Sequence, residues 1–163
     1  MKIALVFYSF SGNTQRVINY LRDILLLKNQ EVGVLKLKPK DEPRSFLKQG
    51  FSAFLKRKPS LVENTPYNLE GFNFVVFASP LWAFTFAPAL RSYLEKVEGL
   101  GDKKVSFILT YGSGAGLKKA SKELRYILEN KGARVVNFLA LKGEKSQDKK
   151  YLQDKFEHFA PVA

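Results

Sequence analysis

The chain contains no cysteine and only one histidine, His158. The first absence excludes disulfides, thiolate catalysis, thiolate-held zinc and iron–sulfur clusters. The second leaves no multi-histidine metal site and argues against a Ser–His–Asp triad. Any redox chemistry must therefore come from a borrowed cofactor. Acidic residues are also scarce, with 15 Asp and Glu against 27 Lys and Arg, for a net charge of +12. Such a field favours acidic partners, among them an acidic redox protein, nucleic acid or a membrane surface. A lysine-rich solvated surface accounts for the same excess. The basic residues are spread along the chain, with clusters at Lys56-Arg57-Lys58, Lys103-Lys104 and Lys149-Lys150. None is interleaved with aromatics in a nucleic-acid motif. No apolar run approaches the length of a membrane span. Met1-Lys2-Ile3 leads straight into a strand-like segment. The expectation is a cytoplasmic protein with neither signal peptide nor membrane span.

What is present suits one domain over residues 1–163. Hydrophobic residues make up 45% of the chain, enough for a sizeable core. Lys2 to Tyr8 is a nearly continuous apolar run and reads as a strand buried on both faces. Asn13 to Leu27 carries Val17, Ile18, Leu21, Ile24 and Leu25 at helical spacing. Further strands are read at Glu31 to Leu37, Phe72 to Ala78, Lys104 to Thr110 and Arg134 to Leu141. Helices are read from Pro88 through Val97, from Leu117 to Lys131 ahead of Gly132, and from Asp148 to Phe159. Residues 39–70 are irregular, with prolines at 39, 43, 59 and 66, and read as an insertion between strands two and three. Within them Phe46, Leu47, Phe51, Phe54 and Leu55 sketch a short helix. Strands and helices alternate throughout. That pattern predicts a three-layer α/β fold, a doubly wound five-stranded parallel sheet of order 2-1-3-4-5.

In such sheets ligands bind beyond the carboxyl ends of the strands, where strand order reverses. Three loops fall there. Ser9-Phe10-Ser11-Gly12-Asn13-Thr14 offers three hydroxyls, an amide and a glycine, and leads into a helix. Unpaired N–H groups and the macrodipole at a helix start can hold a phosphate without a lysine. An ordinary helix cap uses the same residue types. Ser79-Pro80-Leu81-Trp82-Ala83-Phe84-Thr85-Phe86-Ala87 places the only Trp and two Phe past a buried strand, and Pro80 argues against that strand continuing. The rings either stack on a flat ligand or fold back onto the core. Thr110-Tyr111-Gly112-Ser113-Gly114-Ala115-Gly116 alternates glycines beside a tyrosine. It lacks the dinucleotide-binding spacing. It reads as backbone donors facing a planar heterocycle, or as a flexible connection.

These residues resemble the flavodoxin family. Ser9, Ser11, Gly12, Asn13 and Thr14 are similar to its phosphate loop, with Phe10 at a variable position. Ser79-Pro80-Leu81-Trp82 resembles its isoalloxazine loop, and Thr110-Tyr111-Gly112-Ser113-Gly114 its second flavin loop. The resemblance covers nearly the whole chain and implies a flavodoxin-like fold with noncovalent FMN. It places the phosphate on residues 9–14 and the ring between residues 79–86 and 110–116. Trp82 or Tyr111 would stack on the ring, and backbone groups near Ala83, Phe84 and Gly112 would meet its polar edge. Familiar carriers of the family are acidic, and this chain is basic.

The protein would supply no acid–base group, so no catalytic side chain and no metal ligand is expected. The first functional reading is an electron shuttle between redox protein partners, acidic ones given the charge. The alternative is an FMN-dependent NAD(P)H:quinone-type oxidoreductase that uses a small-molecule acceptor. As a monomer or as a homodimer, such an enzyme needs room above the flavin for a nicotinamide. A flavin-free interaction module on the same fold is a third reading. A receiver domain is excluded because the ends of strands one and three read Tyr8-Ser9 and Ala78-Ser79. A nucleotide-hydrolysing P-loop is excluded because its motif is absent.

Overall fold

The structure, a computed structural model, describes residues 1–41, 58–159 and 161. Its strands are β1 (Lys2–Phe7), β2 (Glu31–Lys36), β3 (Phe74–Trp82), β4 (Thr85–Phe86), β5 (Lys104–Tyr111) and β6 (Arg134–Lys142). Its helices are α1 (Asn13–Leu27), α2 (Pro88–Lys96), α3 (Leu117–Asn130) and α4 (Lys149–Phe156). The long strands lie in the order β2-β1-β3-β5-β6, every neighbouring pair parallel. Counting only those five, this is the expected doubly wound 2-1-3-4-5 sheet.

Alternation along each buried strand explains the three layers, since successive side chains leave opposite faces. Ile3, Leu5 and Phe7 of β1 join Val76 of β3 under α1 and α4, packed on Val17, Ile18, Leu21, Leu152 and Phe156. Ala4 and Val6 face the other way, with Phe77 and Phe107, and meet Leu90, Tyr93 and Leu94 of α2 and Leu124 and Leu128 of α3. Phe77 and Phe107 are wholly buried. Each such ring contributes roughly 1.5–3 kcal/mol relative to exposure. β2 forms an edge, and its Glu31 and Lys36 face solvent.

Two expectations need correction. β3 does not stop before Pro80 but runs on to Trp82, with Pro80 in register with Thr110 of β5. The reason is where the missing N–H points. Tyr8 N–H donates to the Ala78 carbonyl, so Ala78 and, two residues on, Pro80 turn their backbone edges toward β1. That strand ends at Phe7, and beyond it a proline forfeits no ladder bond. β3 then folds back through a tight turn into β4, a two-residue antiparallel strand pairing Leu81 with Phe86 and Trp82 with Thr85. The last helix is also shorter than expected. It starts at Lys149, capped by Asp148, whose carboxylate accepts from Tyr151 N–H.

The helix expected over residues 46–55 lies outside the described residues. The neck of that insertion is described. Lys40 N–H donates to Ser60 C=O and Val62 N–H to Lys38 C=O, around a Pro39–Leu61 antiparallel bridge. The segment therefore leaves and rejoins the fold at one place. Among the described residues no helix is long and apolar enough to cross a membrane.

Candidate functional site

The turn between β1 and α1 is not an ordinary cap. Gly12 occupies the cap position at φ 87° and has no side chain to offer. Ser9, buried, lends its Oγ to the Gln15 N–H at 3.2 Å, and Gly12 C=O accepts from Arg16 N–H at 3.0 Å. The earlier amides of the helix have no intrahelical acceptor by construction, and the macrodipole adds partial positive charge there. Thr14 is buried, and its Oγ1 lies 2.8 Å from Thr110 Oγ1 at the end of β5. That bond ties the first loop to the third across the sheet.

A cation also stands at this turn. The Arg16 guanidinium lies 3.7 Å from where a Cβ on Gly12 would sit, and donates to Asn13 Oδ1 at 2.8 Å. Asn13 Oδ1 also accepts from Ser146 Oγ at 3.2 Å, and its amide packs on Gly143. Thus a fourth segment, the one-turn 3-10 helix Gly143–Lys145 after β6, closes over the first loop. Neither Arg16 nor this segment was anticipated from sequence. Arg16 is one helical turn beyond Gly12, and that spacing was its only signal.

The aromatic loop proves to be the β3–β4 hairpin. Ala83 and Phe84 form its tip, at φ 40° and 71°. Two left-handed residues make the turn that normally selects Asn-Gly. For residues with a Cβ each such conformation costs roughly 1–2 kcal/mol. Phe84 is 58% exposed. Trp82 meets Tyr8 edge-on at 5.5 Å between ring centres, and Phe10 at 6.2 Å. Phe86 folds wholly into the core. Ser79 is wholly buried, its Oγ accepting from Ala87 N–H and donating to Pro80 C=O, both at 2.9 Å. Its side chain holds the hairpin and does not reach the cleft.

Behind the tip, Thr85 Oγ1 donates to Glu123 Oε2 and accepts from Arg91 Nη2, both at 2.9 Å. Arg91 Nη1 closes the set on Glu123 Oε1 at 2.9 Å. Burial alone would raise the Glu123 pKa. The Arg91 and Thr85 hydrogen bonds and the charges of Arg91 and Lys119 outweigh it and hold the carboxyl below its usual range. A lowered carboxyl contributes stability above its unfolded pKa, and that contribution is lost as pH falls through the folded value.

The glycine-rich loop places Tyr111 beside the hairpin. Gly114, at φ 78°, lies under the Tyr111 ring, where a Cβ would be 3.4 Å from it. Ser113 Oγ accepts the Ala115 N–H at 3.4 Å. Gly116, at φ 82°, abuts Phe84 directly.

One cleft of about 260 Å³ gathers parts of all these loops. Ser11 and Asn13 line it from the first, Pro80, Leu81 and Trp82 from the second, Thr110, Tyr111 and Gly112 from the third, and Gly143 and Glu144 from the fourth. Ser9, Phe10, Gly12, Thr14, Ala83, Phe84, Ser113 and Gly114 belong to the same loops but not to its lining. A larger groove of about 640 Å³ runs between α1 and α4 over Tyr20, Ile24 and Phe156. It is remote from the strand ends where the polar and aromatic groups converge.

The Thr14–Thr110 bond yields a direct test. Thr14→Val leaves a buried hydroxyl on Thr110 without a partner and is expected to cost about 1–3 kcal/mol in the ligand-free protein. The double variant with Thr110→Val should cost little more than either single change, because no orphan remains. Urea denaturation of the three variants checks this, and additive losses would refute the coupling.

Residues 1–145 match the family model for NADPH-dependent FMN reductase. No curated protein matches the chain. Among solved structures, a flavoprotein in complex with FMN from Lactobacillus acidophilus NCFM is 18% identical, with a TM-score of 0.63 over 92% of this chain and 97% of that one. A flavodoxin from the domain Archaea is 16% identical, with a TM-score of 0.58 over 97% of this chain and 100% of the other. An NADH:FMN oxidoreductase in its apo form is 18% identical, with a TM-score of 0.63 over 96% of this chain and 87% of the other. At these identities the structural likeness shows a shared fold.

Proposed function

The chain belongs to the NADPH-dependent FMN reductase family, and on that premise we propose that it holds FMN at the strand ends and passes electrons between redox partners. Bound FMN supplies the one- and two-electron chemistry that no side chain here offers. The residues present fit it. The α1 turn, with Ser9, Ser11, Thr14 and the Gly12 backbone, suits a phosphate. The flat ring suits the space between Trp82 and Tyr111, with backbone groups of Pro80, Leu81 and Gly112 at its polar edge. The observation carrying this reading is the convergence of a phosphate-type turn, an aromatic hairpin and a glycine-rich loop on one cleft.

An electron shuttle is favoured by the rim of that cleft. Its surroundings include exposed Phe10 and Phe84, apolar surface open to a partner. Lys118, Lys119 and Lys122 stand beside Gly114 and Gly116, and the chain carries +12 overall, which suits an acidic partner. A second reading, an NAD(P)H:quinone-type oxidoreductase, is favoured by the family match itself. It would need a wider site, such as a second copy completes.

The two readings separate in one assay with FMN-loaded protein. A shuttle should oxidise NADPH with a quinone only marginally. It should accept electrons rapidly from an acidic reductase at low salt and more slowly at high salt, as exposed charges are screened. Sustained NADPH-dependent quinone reduction by the chain alone would establish the second reading instead.

A further inference from the structure

We propose that Thr85, Arg91 and Glu123 form a polar clamp that keeps the β3–β4 hairpin in its left-handed turn and so sets the affinity and potential of a flavin seated against it. The flavin half of this proposal rests on the function proposed above; the clamp itself rests on geometry alone.

The hairpin tip needs an external restraint. Ala83 and Phe84 both lie at positive φ, where neither residue type has any preference to be. Conformations of this kind persist only when their surroundings over-determine them. Thr85 follows the tip directly, and its single hydroxyl is used both as donor, to Glu123, and as acceptor, from Arg91. Arg91 comes from α2 and Glu123 from α3, so the hairpin is bonded to both helices of its layer. The Arg91–Glu123 pair closes the third side at 2.9 Å. The Arg91 guanidinium also sits 4.4 Å from the centre of the Phe86 ring, the next residue of β4.

An ion pair in this position is weak grounds for stability, since apolar residues would often serve as well. What it adds is direction. One hydrogen bond accepted from a planar guanidinium and one donated to a carboxylate fix Thr85 in orientation as well as position. None of the three residues lines the cleft. They are positioning residues, acting through Phe84, the neighbour of Thr85 in the chain, and Trp82, its partner across the hairpin.

The test uses the full chain with and without FMN. Thr85→Val removes the hydroxyl at nearly constant volume, Thr85→Ser retains it, and Glu123→Gln removes the charge. Three quantities are read on protein shown to be folded: FMN affinity by fluorescence quenching, flavin midpoint potential by redox titration, and emission of Trp82, the sole tryptophan, in the FMN-free protein. Thr85→Val and Glu123→Gln should each weaken FMN by about tenfold, move the midpoint potential and shift the Trp82 emission. Thr85→Ser should restore all three toward wild type. If Glu123→Gln does not fold, Thr85→Val carries the test alone. Wild-type affinity, potential and emission in a folded Thr85→Val would overturn the clamp. A wild-type chain that takes up no FMN would instead overturn the functional reading and the flavin half of this proposal, with Trp82 emission still deciding the clamp.

Discussion

Gly116→Ala is expected to destabilise the protein by roughly 2–5 kcal/mol and to weaken FMN binding with it. Two costs add at this position. Gly116 has φ 82°, a region that charges any residue bearing a Cβ. The new Cβ would also fall 2.6 Å from Phe84 Cβ and on top of Phe84 Cα. The second obstacle is backbone, and it belongs to a turn that is already left-handed. Neither side can yield by a rotamer change, so either the start of α3 or the hairpin must move. Gly112→Ala is the matched control in the same loop. Nothing lies within 4 Å of its Cβ and its φ is not positive, so a change within about 0.5 kcal/mol is expected. Chemical denaturation measures the stability difference, and flavin titration at a temperature where both variants are folded measures the binding. Equal midpoints for the two variants would show that the hairpin and the glycine-rich loop are not in rigid contact.

That contact illustrates what a one-dimensional reading can reach. Strand runs, helix faces and their alternation were legible, because burial on both faces of a parallel sheet writes itself as apolar runs such as Ile3 to Phe7. The reversal of strand order followed from matching five alternating strands in a domain of this length to the doubly wound order, and with it the identity of the three loops. The extension of β3 through Pro80 was not legible. Proline argues against a strand in general, and only the early end of β1 makes this one harmless. The β4 hairpin was hidden for a related reason, since its tip is Ala-Phe and lacks the Asn-Gly or Asp-Gly signal. Phe84 and Phe86 looked equivalent in sequence, yet one is exposed and one is core, because they lie two residues apart across a turn. The Arg91–Glu123–Thr85 set joins three separate elements, and Gly143 and Ser146 reach Asn13 across more than 125 residues of chain. No local pattern encodes such meetings.

FMN is expected to bind at least about a hundredfold more tightly than riboflavin, the same flavin without its phosphate. The difference isolates the α1 turn. A hydrogen bond to a charged group contributes roughly 1.5–3 kcal/mol, so two such bonds account for the factor. The turn has donors to spare. Ser9 Oγ accepts from Gln15 N–H and keeps its own proton. Thr14 and Thr110 share one hydrogen bond between two hydroxyls, which leaves one proton for a ligand. Ser11 lines the cleft. The first amides of α1 are free of intrahelical acceptors. Arg16 adds a full charge beside Gly12. Arg16→Ala should therefore weaken FMN by about tenfold and leave riboflavin nearly unchanged, since the cation's attraction is to the phosphate. The effect on FMN should shrink as salt rises, because Arg16 is exposed. Calorimetric titration of both flavins into wild type and Arg16→Ala closes the cycle. Equal affinity for FMN and riboflavin in the wild type would remove the phosphate from the α1 turn. Equal losses for both ligands in the variant would mean that Arg16 shapes the loop without meeting the phosphate.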